Sequence, residues 1–330
     1  MTLTFKTVAL FGANGQVGKA LFKALINCKN SEFHVIAFVS PNSSFSLDNY
    51  GDGSRNATVK RVDLNEITTH DLAVILADAK VDVAISALGS NIIQRQGMVQ
   101  DAAAEAGVKR FYPSEFGMHQ VVWLPGEGPY VHPLWDLRMR YFELSIRHPA
   151  VQSGKMSYTC IGCGEFYDAD QEPLFCPWFE KDESVTANGY TIQCVGDPAA
   201  KMDYSSLRDV ANFLVATLRH PELSENKVLG FRNDYISFSE VADLLQKHSG
   251  KPVKIQTTPF NNVRGILDDP SLAPKEWWGD STFSLDFFMI LRLVQGQGVC
   301  WRPPGFLHND LFPEVKTGNV DEYFKGLFAK

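Results

Sequence analysis

Gly12-Ala13-Asn14-Gly15-Gln16-Val17-Gly18 decides the fold. It directly follows the apolar run Thr7 to Phe11 and enters a stretch, Val17 to Ile26, whose apolar residues recur at helical spacing. In a strand–turn–helix of this kind, glycines allow a tight turn, let backbone approach a pyrophosphate, and let the helix pack on the sheet. The helix N-terminus meanwhile offers N–H groups to the anion. The pattern is GxxGxxG rather than GxGxxG, and its place at the start of a βαβ unit is the context a dinucleotide loop requires. Gly12, Asn14, Gly15, Gln16, Val17 and Gly18 are the loop's candidate cofactor-binding residues.

Outward from the loop, short β-branched runs alternate with amphipathic stretches. Strands are predicted at Thr7 to Phe11, His34 to Val39, Thr58 to Val62, Val81 to Ile85, Arg110 to Tyr112 and Met156 to Ile161. Helices are predicted at Val17 to Ile26, Leu72 to Leu76, Met98 to Ala106 (closed by Gly107) and Pro133 to Ile146. After Phe166 the composition turns to proline, aromatics and turn residues, with helices at Ser206 to Leu218, Ser237 to His248 and Asn319 to Phe328. The predicted class is α/β: a Rossmann-type doubly wound parallel sheet over residues 1–165, then a smaller α+β substrate-binding subdomain over 166–330, parts of which return to the first. Trp178, Trp277, Trp278, Trp301 and the run Phe283 to Val294 are expected to line a pocket for a bulky molecule.

Composition narrows the function. With 31 Lys and Arg against 38 Asp and Glu the formal charge is −7, and no basic block is present, so nucleic acid and anionic membrane are not expected partners. No apolar run reaches the roughly 18 to 20 residues of a spanning helix. The N-terminus reads as a strand and not a leader, so a cytoplasmic address is expected. The six cysteines read as buried thiols. Cys160 and Cys163 form an isolated CxxC with no second ligand pair for zinc, and no metal is expected.

The end of the second strand selects the nicotinamide. A carboxylate there accepts the ribose 2′-hydroxyl of NAD, but the sequence reads Ser40-Pro41-Asn42-Ser43-Ser44. Ser40, Asn42 and Ser43 offer donors to a 2′-phosphate, which favours NADP(H), and Arg55, Lys60 and Arg61 are the nearest cations. Ligands of open α/β sheets sit beyond the carboxyl ends of the strands. That adds Ala87, Leu88 and Gly89, and Pro113, Ser114, Glu115 and Phe116, to the cofactor set.

The glycine loop, Val83 to Gly89 and above all Ala106-Gly107-Val108-Lys109-Arg110-Phe111-Tyr112-Pro113-Ser114-Glu115-Phe116-Gly117 resemble the isoflavone reductase-like and NmrA-like branch of the atypical short-chain dehydrogenases. Leu311 to Lys316 and Val320 to Tyr323 resemble that branch's closing segment, so the likeness spans the chain. The aromatic stretch Trp277 to Trp301 is more similar to fungal secondary-metabolism members than to plant ones. The resemblance implies hydride transfer from NADPH to a conjugated or aromatic small molecule, assisted by a lysine on the helix after the PSEFG turn; monomer and homodimer both stay open. Arg138 stands at that position, and a guanidinium stays charged where an ammonium shuttles a proton. Arg138 is expected to stabilise an oxyanion or hold a carboxyl. Tyr130, His132 and Asp136 are the other candidate catalytic groups, with Tyr167 and Asp168 also flanking the segment. No Tyr-x-x-x-Lys pair exists. In the turn Gly162 to Asp168 the resemblance places Phe166 beside the nicotinamide, and Glu165 reads as a cap of the following segment. Three functions stay open: an NADPH-dependent reductase, a redox-neutral isomerase or cyclase that retains the dinucleotide, and an NADP-sensing regulator.

Overall fold

In the computed structural model, which describes residues 4–28, 32–89, 92–118, 122–124, 128–180, 182–279 and 281–329, the opening strand and glycine loop lead into a parallel sheet. The first half runs β1 (Thr7–Phe11), α1 (Gln16–Ile26), β2 (His34–Val39), β3 (Ala57–Arg61), α2 (Thr69–Asp78), β4 (Val83–Ser86), α3 (Gln96–Glu105) and β5 (Arg110–Tyr112). A hairpin of β6 (Val122–Leu124) and β7 (Gly128–Tyr130) then precedes α4 (Pro133–Ile146), α5 (Pro149–Gln152) and β8 (Ser157–Cys163). The second half holds β9 (Glu165–Phe166), α6 (Glu183–Thr186), β10 (Tyr190–Val195), β11 (Lys201–Ser205), α7 (Leu207–Arg219), α8 (Pro221–Ser224), β12 (Lys227–Phe231), β13 (Asp234–Ser237) and α9 (Phe238–Ser249). It closes with β14 (Val253–Thr258), α10 (Val263–Asp268), α11 (Leu285–Gly296) and α12 (Val320–Leu327).

The sheet order is β12-β8-β5-β4-β1-β2-β3 with parallel neighbours throughout. Helices cover both faces, which is why β1 and β4 read as continuous apolar runs. On one face Leu21, Phe22 and Leu25 of α1 are fully buried with Phe213 and Leu214 of α7, each contributing about 1.5 to 3 kcal/mol. On the other, Leu72 and Leu76 of α2 and Val99 and Ala102 of α3 cover Ala9, Phe11 and Ala84.

The Lys109-Arg110 pair of the long motif holds this sheet together. Lys109 Nζ lies 2.7 Å from Asp82 Oδ1, whose Oδ2 accepts the backbone N–H groups of Lys6 and Thr7 at the start of β1. Arg110 is fully buried and donates to Ser157 Oγ, Ser224 Oγ and the carbonyl of Pro221, joining β5 to β8 and α8.

Several boundaries differ from the sequence reading, among them β3, α2, β4 and α3 by one to three residues at either end. The sixth strand runs Ser157–Cys163 and not Met156 to Ile161, because β12 pairs along it as far as Cys163↔Phe231. That places Cys160 and Cys163 on opposite faces of one strand, so they cannot act as a redox pair. All six cysteines are free, and among the described residues no cluster of three metal-ligating side chains exists. The helices predicted from Ser206, Ser237 and Asn319 begin one residue later, because each of these side chains is the N-cap. Among the described residues no helix is long and apolar enough to cross a membrane.

Beside the sheet, β10 pairs with β14 and β11 lies between β13 and β9. Trp178 and Trp277 fill the core around them, and Trp277 donates its indole N–H to Gln193.

Candidate dinucleotide and substrate cleft

The glycine loop, Ala87 to Gly89 and the PSEFG turn follow the carboxyl ends of β1, β4 and β5. The three glycines of the loop divide the work. Gly12 has φ +80°, and a Cβ there would lie 2.4 Å from the carbonyl oxygen of Ala87; a Cβ on Gly18 would lie 2.0 Å from the carbonyl of Gly12. These two let the loop close on β4 and α1 close on the loop. Gly15 is exposed, its virtual Cβ meets nothing nearer than 3.4 Å, and it lines the cleft. It is also the N-cap of α1, with no side chain capping the helix and no acidic residue in the first turn. The first N–H groups of an eleven-residue helix therefore face the cleft uncapped, with Gln16 Nε2 buried among them and unbonded. This donor set fits a pyrophosphate.

The strand order reverses between β1 and β4, and the crevice opens there. Gly15, Gln16, Val17, Ala87, Leu88 and Gly89 form one wall; Ser90, next in the sequence, lies outside the described residues. The PSEFG turn is pinned to that wall: Ser114 Oγ donates to the carbonyl of Leu88 at 3.0 Å and Ser114 N to Gln96 Oε1 at 2.7 Å. Ser114, Glu115 and Phe116 line the cleft, while Pro113 is buried behind them. Gly12, Asn14 and Gly18 shape the loop without lining it.

Past the end of β2, Ser40, Asn42 and Ser43 stand in a turn closed by Ser43 N bonding the carbonyl of Ser40. The cation missing from this turn arrives from the next strand. Arg61, the last residue of β3, donates through Nη1 to the carbonyls of Pro41 and Ser43 and through Nη2 to that of Phe45. Arg55 is paired with Asp52 instead.

The whole cleft has a volume of about 410 Å³, and Phe116, Trp135, Phe166, Phe175, Phe283 and Phe287 line it as well. The expectation for the tryptophans is corrected here: Trp178 and Trp277 are core, Trp278 and Trp301 are exposed, and none lines the cleft. The run from Phe283 does line it, through Phe283, Phe287 and Leu291.

Of the four candidate catalytic residues, Arg138 alone lines the cleft. Burial lowers the affinity of its guanidinium for the proton, opposed by the charge of Glu115 and by Cys163; the net direction is downward. His132 is occupied elsewhere. Its Nδ1 accepts Leu134 N at 3.1 Å, capping α4, and its Nε2 lies 3.0 Å from Asp286 Oδ2 on α11. Residues 125–127 of its loop lie outside the described set. Asp136 pairs with Arg140 one turn along α4, and Tyr130 ends the β6–β7 hairpin. Tyr167 and Asp168 border a separate cavity of about 310 Å³, where Asp168 accepts Ser206 Oγ and Leu207 N at the start of α7.

Glu165 and Glu172 reach the cleft as well, which the sequence did not show for either. Glu172 accepts Ser281 Oγ at 2.7 Å and both Thr282 N and Thr282 Oγ1, fastening the segment that leads to α11. Glu165, which the sequence reading made a cap, instead accepts Gln295 Nε2 of α11 at 2.9 Å.

A seven-stranded parallel sheet with a glycine loop at its reversal point and an aromatic cleft beyond defines a Rossmann-type nucleotide-binding α/β protein. The chain belongs to the NmrA-like family, whose sequence model matches residues 4–274. It is similar to an isoflavone reductase homologue of Nicotiana tabacum, at 23% identity over 324 residues and 96% of each chain. A phenylcoumaran benzylic ether reductase of Pyrus communis is 24% identical over 322 residues, again 96% of each chain. Among solved structures, the binary complex of leucoanthocyanidin reductase with NADPH from Vitis vinifera has a TM-score of 0.71 at 19% identity, over 98% of this chain and 100% of that one.

Proposed function

We propose that the protein is an NADPH-dependent reductase of a bulky conjugated or aromatic metabolite, of the kind made in fungal-type secondary metabolism. One observation carries the reading: the uncapped start of α1 and six aromatic residues line a single cleft, so a dinucleotide and a flat apolar molecule would meet there. The names of the relatives, an isoflavone reductase homologue, a phenylcoumaran benzylic ether reductase and a leucoanthocyanidin reductase, support it. The absence of a carboxylate after β2 and the presence of Arg61 support NADP(H) over NAD(H).

When bound, the reduced nicotinamide supplies hydride. The chain's part is to hold the dinucleotide on Gly15, Gln16 and Val17, to exclude water with Trp135 and the phenylalanines, and to place the charge of Arg138 where negative charge develops on a substrate oxygen. Arg138 also favours a second reading, a redox-neutral isomerase or cyclase, because a permanent cation stabilises an enolate or phenolate as readily as it assists a reduction.

Titration with NADPH and NADH, followed by absorbance of the reduced nicotinamide as conjugated aromatic compounds are added, tests both. Loss of the band with equivalent product is expected. Product without loss of the band would establish the redox-neutral reading, and tight binding with no product would point to a sensor.

A further inference from the structure

Six described side chains that line the cleft can titrate: Glu115, Arg138, Cys163, Glu165, Glu172 and Cys300. Five are poor sources of a proton. Arg138 is a guanidinium that keeps its proton, and Glu115 is engaged by that guanidinium. Glu172 spends both oxygens on Ser281 and Thr282. Burial pushes the Cys163 thiol up to about 12 and that of Cys300 higher still.

Glu165 differs in geometry and surroundings. It lies on the two-residue β9, held in register against Tyr204 of β11, and a Cβ on the preceding Gly164 would lie 2.1 Å from the carbonyl of Asp203, so this backbone cannot drift. Its side chain is 12% exposed, on the cleft side. Behind it stands Arg292, 1% exposed, with Nη1 3.7 Å from Glu165 Oε1. Arg292 donates to Gln295 Oε1 and to the carbonyl of Phe175, and its guanidinium carbon lies 5.0, 4.9 and 5.2 Å from the ring centres of Phe175, Phe238 and Phe288. Because Gln295 Oε1 is taken by Arg292, its Nε2 is directed at Glu165 Oε2. The groups facing this carboxyl are thus Arg292 and Gln295 from α11, Tyr204 from β11, Cys163 from β8, Cys176 and Glu172 from the segment after β9, and Cys300 after α11. Burial raises its proton affinity, Arg292 and Gln295 lower it, Glu172 raises it, and the net direction is upward.

We propose that Glu165 is the proton donor of this cleft, with Arg292 and Gln295 as the positioning residues that aim it. The proposal rests on the reductase reading for the source of hydride. In the reduction the substrate gains hydride at carbon from NADPH, and the displaced electron pair moves to oxygen. The O–H bond of Glu165 breaks as that oxygen takes the proton, and water reprotonates the carboxylate. The substrate is reduced by two electrons and NADPH is oxidised by two.

The test uses the full chain with Glu165→Gln, Glu165→Asp and, as a variant that keeps the carboxyl, Gln295→Met. The first readout needs no cofactor: the infrared carboxylic-acid band of wild type minus Glu165→Gln, followed against pH. A band that titrates above the ordinary carboxylate range, and moves to higher pH in Gln295→Met, is expected; no such band, or one unmoved in Gln295→Met, overturns the proposal. The second readout is kcat against pH. Loss of about 100-fold in Glu165→Gln, with disappearance of the limb on which activity falls as pH rises, is expected, and Glu165→Asp should keep the limb at reduced kcat. Wild-type turnover with an unchanged Glu165→Gln would sink the proton donor and leave the reductase standing. A wild type that binds NADPH but never consumes it would sink the reductase reading, and the infrared band would still decide Glu165.

Discussion

His132 Nε2 lies 3.0 Å from Asp286 Oδ2 while His132 Nδ1 caps α4, so one imidazole fastens the helix that carries Arg138 to the helix that carries Arg292. Burial alone would raise the Asp286 carboxyl, but bonds from Ser284 and His132 outweigh it and hold the group below its ordinary value. A depressed carboxyl adds stability above its unfolded pKa and loses it as pH falls through the folded one. His132→Ala should lower unfolding free energy by about 1 to 2 kcal/mol and flatten the acid-side decline of stability. Urea denaturation across acid pH measures both; an unchanged midpoint would remove the fastening.

Gly15 and Gly18 should separate binding from folding. Gly18→Ala drives a methyl into the carbonyl of Gly12 and is expected to cost roughly 1 to 3 kcal/mol of stability. Gly15→Ala has room for its Cβ, so its melting temperature should stay near wild type while dinucleotide affinity falls about tenfold or more, since the methyl enters the cleft. Thermal melts beside fluorescence titration with NADPH check the pair. Equal affinity in Gly15→Ala would place the pyrophosphate elsewhere.

Arg61 binds three carbonyls of the turn after β2. Arg61→Gln should weaken NADPH about tenfold, the order of one lost charge-assisted contact, and leave NADH almost untouched. Parallel losses for both cofactors would mean that Arg61 only shapes the turn.

Arg138→Ala is expected to lower kcat by about 100-fold, as removal of a group that stabilises an oxyanion does. Arg138→Lys keeps the charge and should retain most of that activity. Steady-state rates with any aromatic compound that consumes NADPH decide it; an unaffected alanine variant would take Arg138 out of the chemistry.

The dinucleotide half of the site is legible in the sequence because its signals are local. A strand, a glycine loop and a helix within twenty consecutive residues dictate their own geometry, and of the three glycines Gly15 lines the cleft while Gly12 and Gly18 close the turn. The substrate half is assembled from segments far apart. Glu165 reads as a cap because its neighbours in sequence are turn residues, whereas its neighbours in space, Arg292 and Gln295, come from α11. Arg292 lies within the run Phe283 to Val294, and nothing local announces that three phenylalanine rings surround it. His132 misled for the same reason: a loop histidine before Pro133 gave no sign of Asp286 on α11. The tryptophans misled by size, since large rings fill cores as readily as they line clefts.

The seventh strand of the sheet, β12, is drawn from Lys227–Phe231, long after β8 at Ser157–Cys163. During synthesis, a chain that has emerged only as far as α7 presents β8 as a bare edge, able to pair with the same strand of a neighbouring nascent chain. The ribosome must deliver α8 and β12 before that edge is sealed. Truncation between β8 and β12, even with every glycine of the loop intact, should give aggregates in place of a free-standing nucleotide-binding domain.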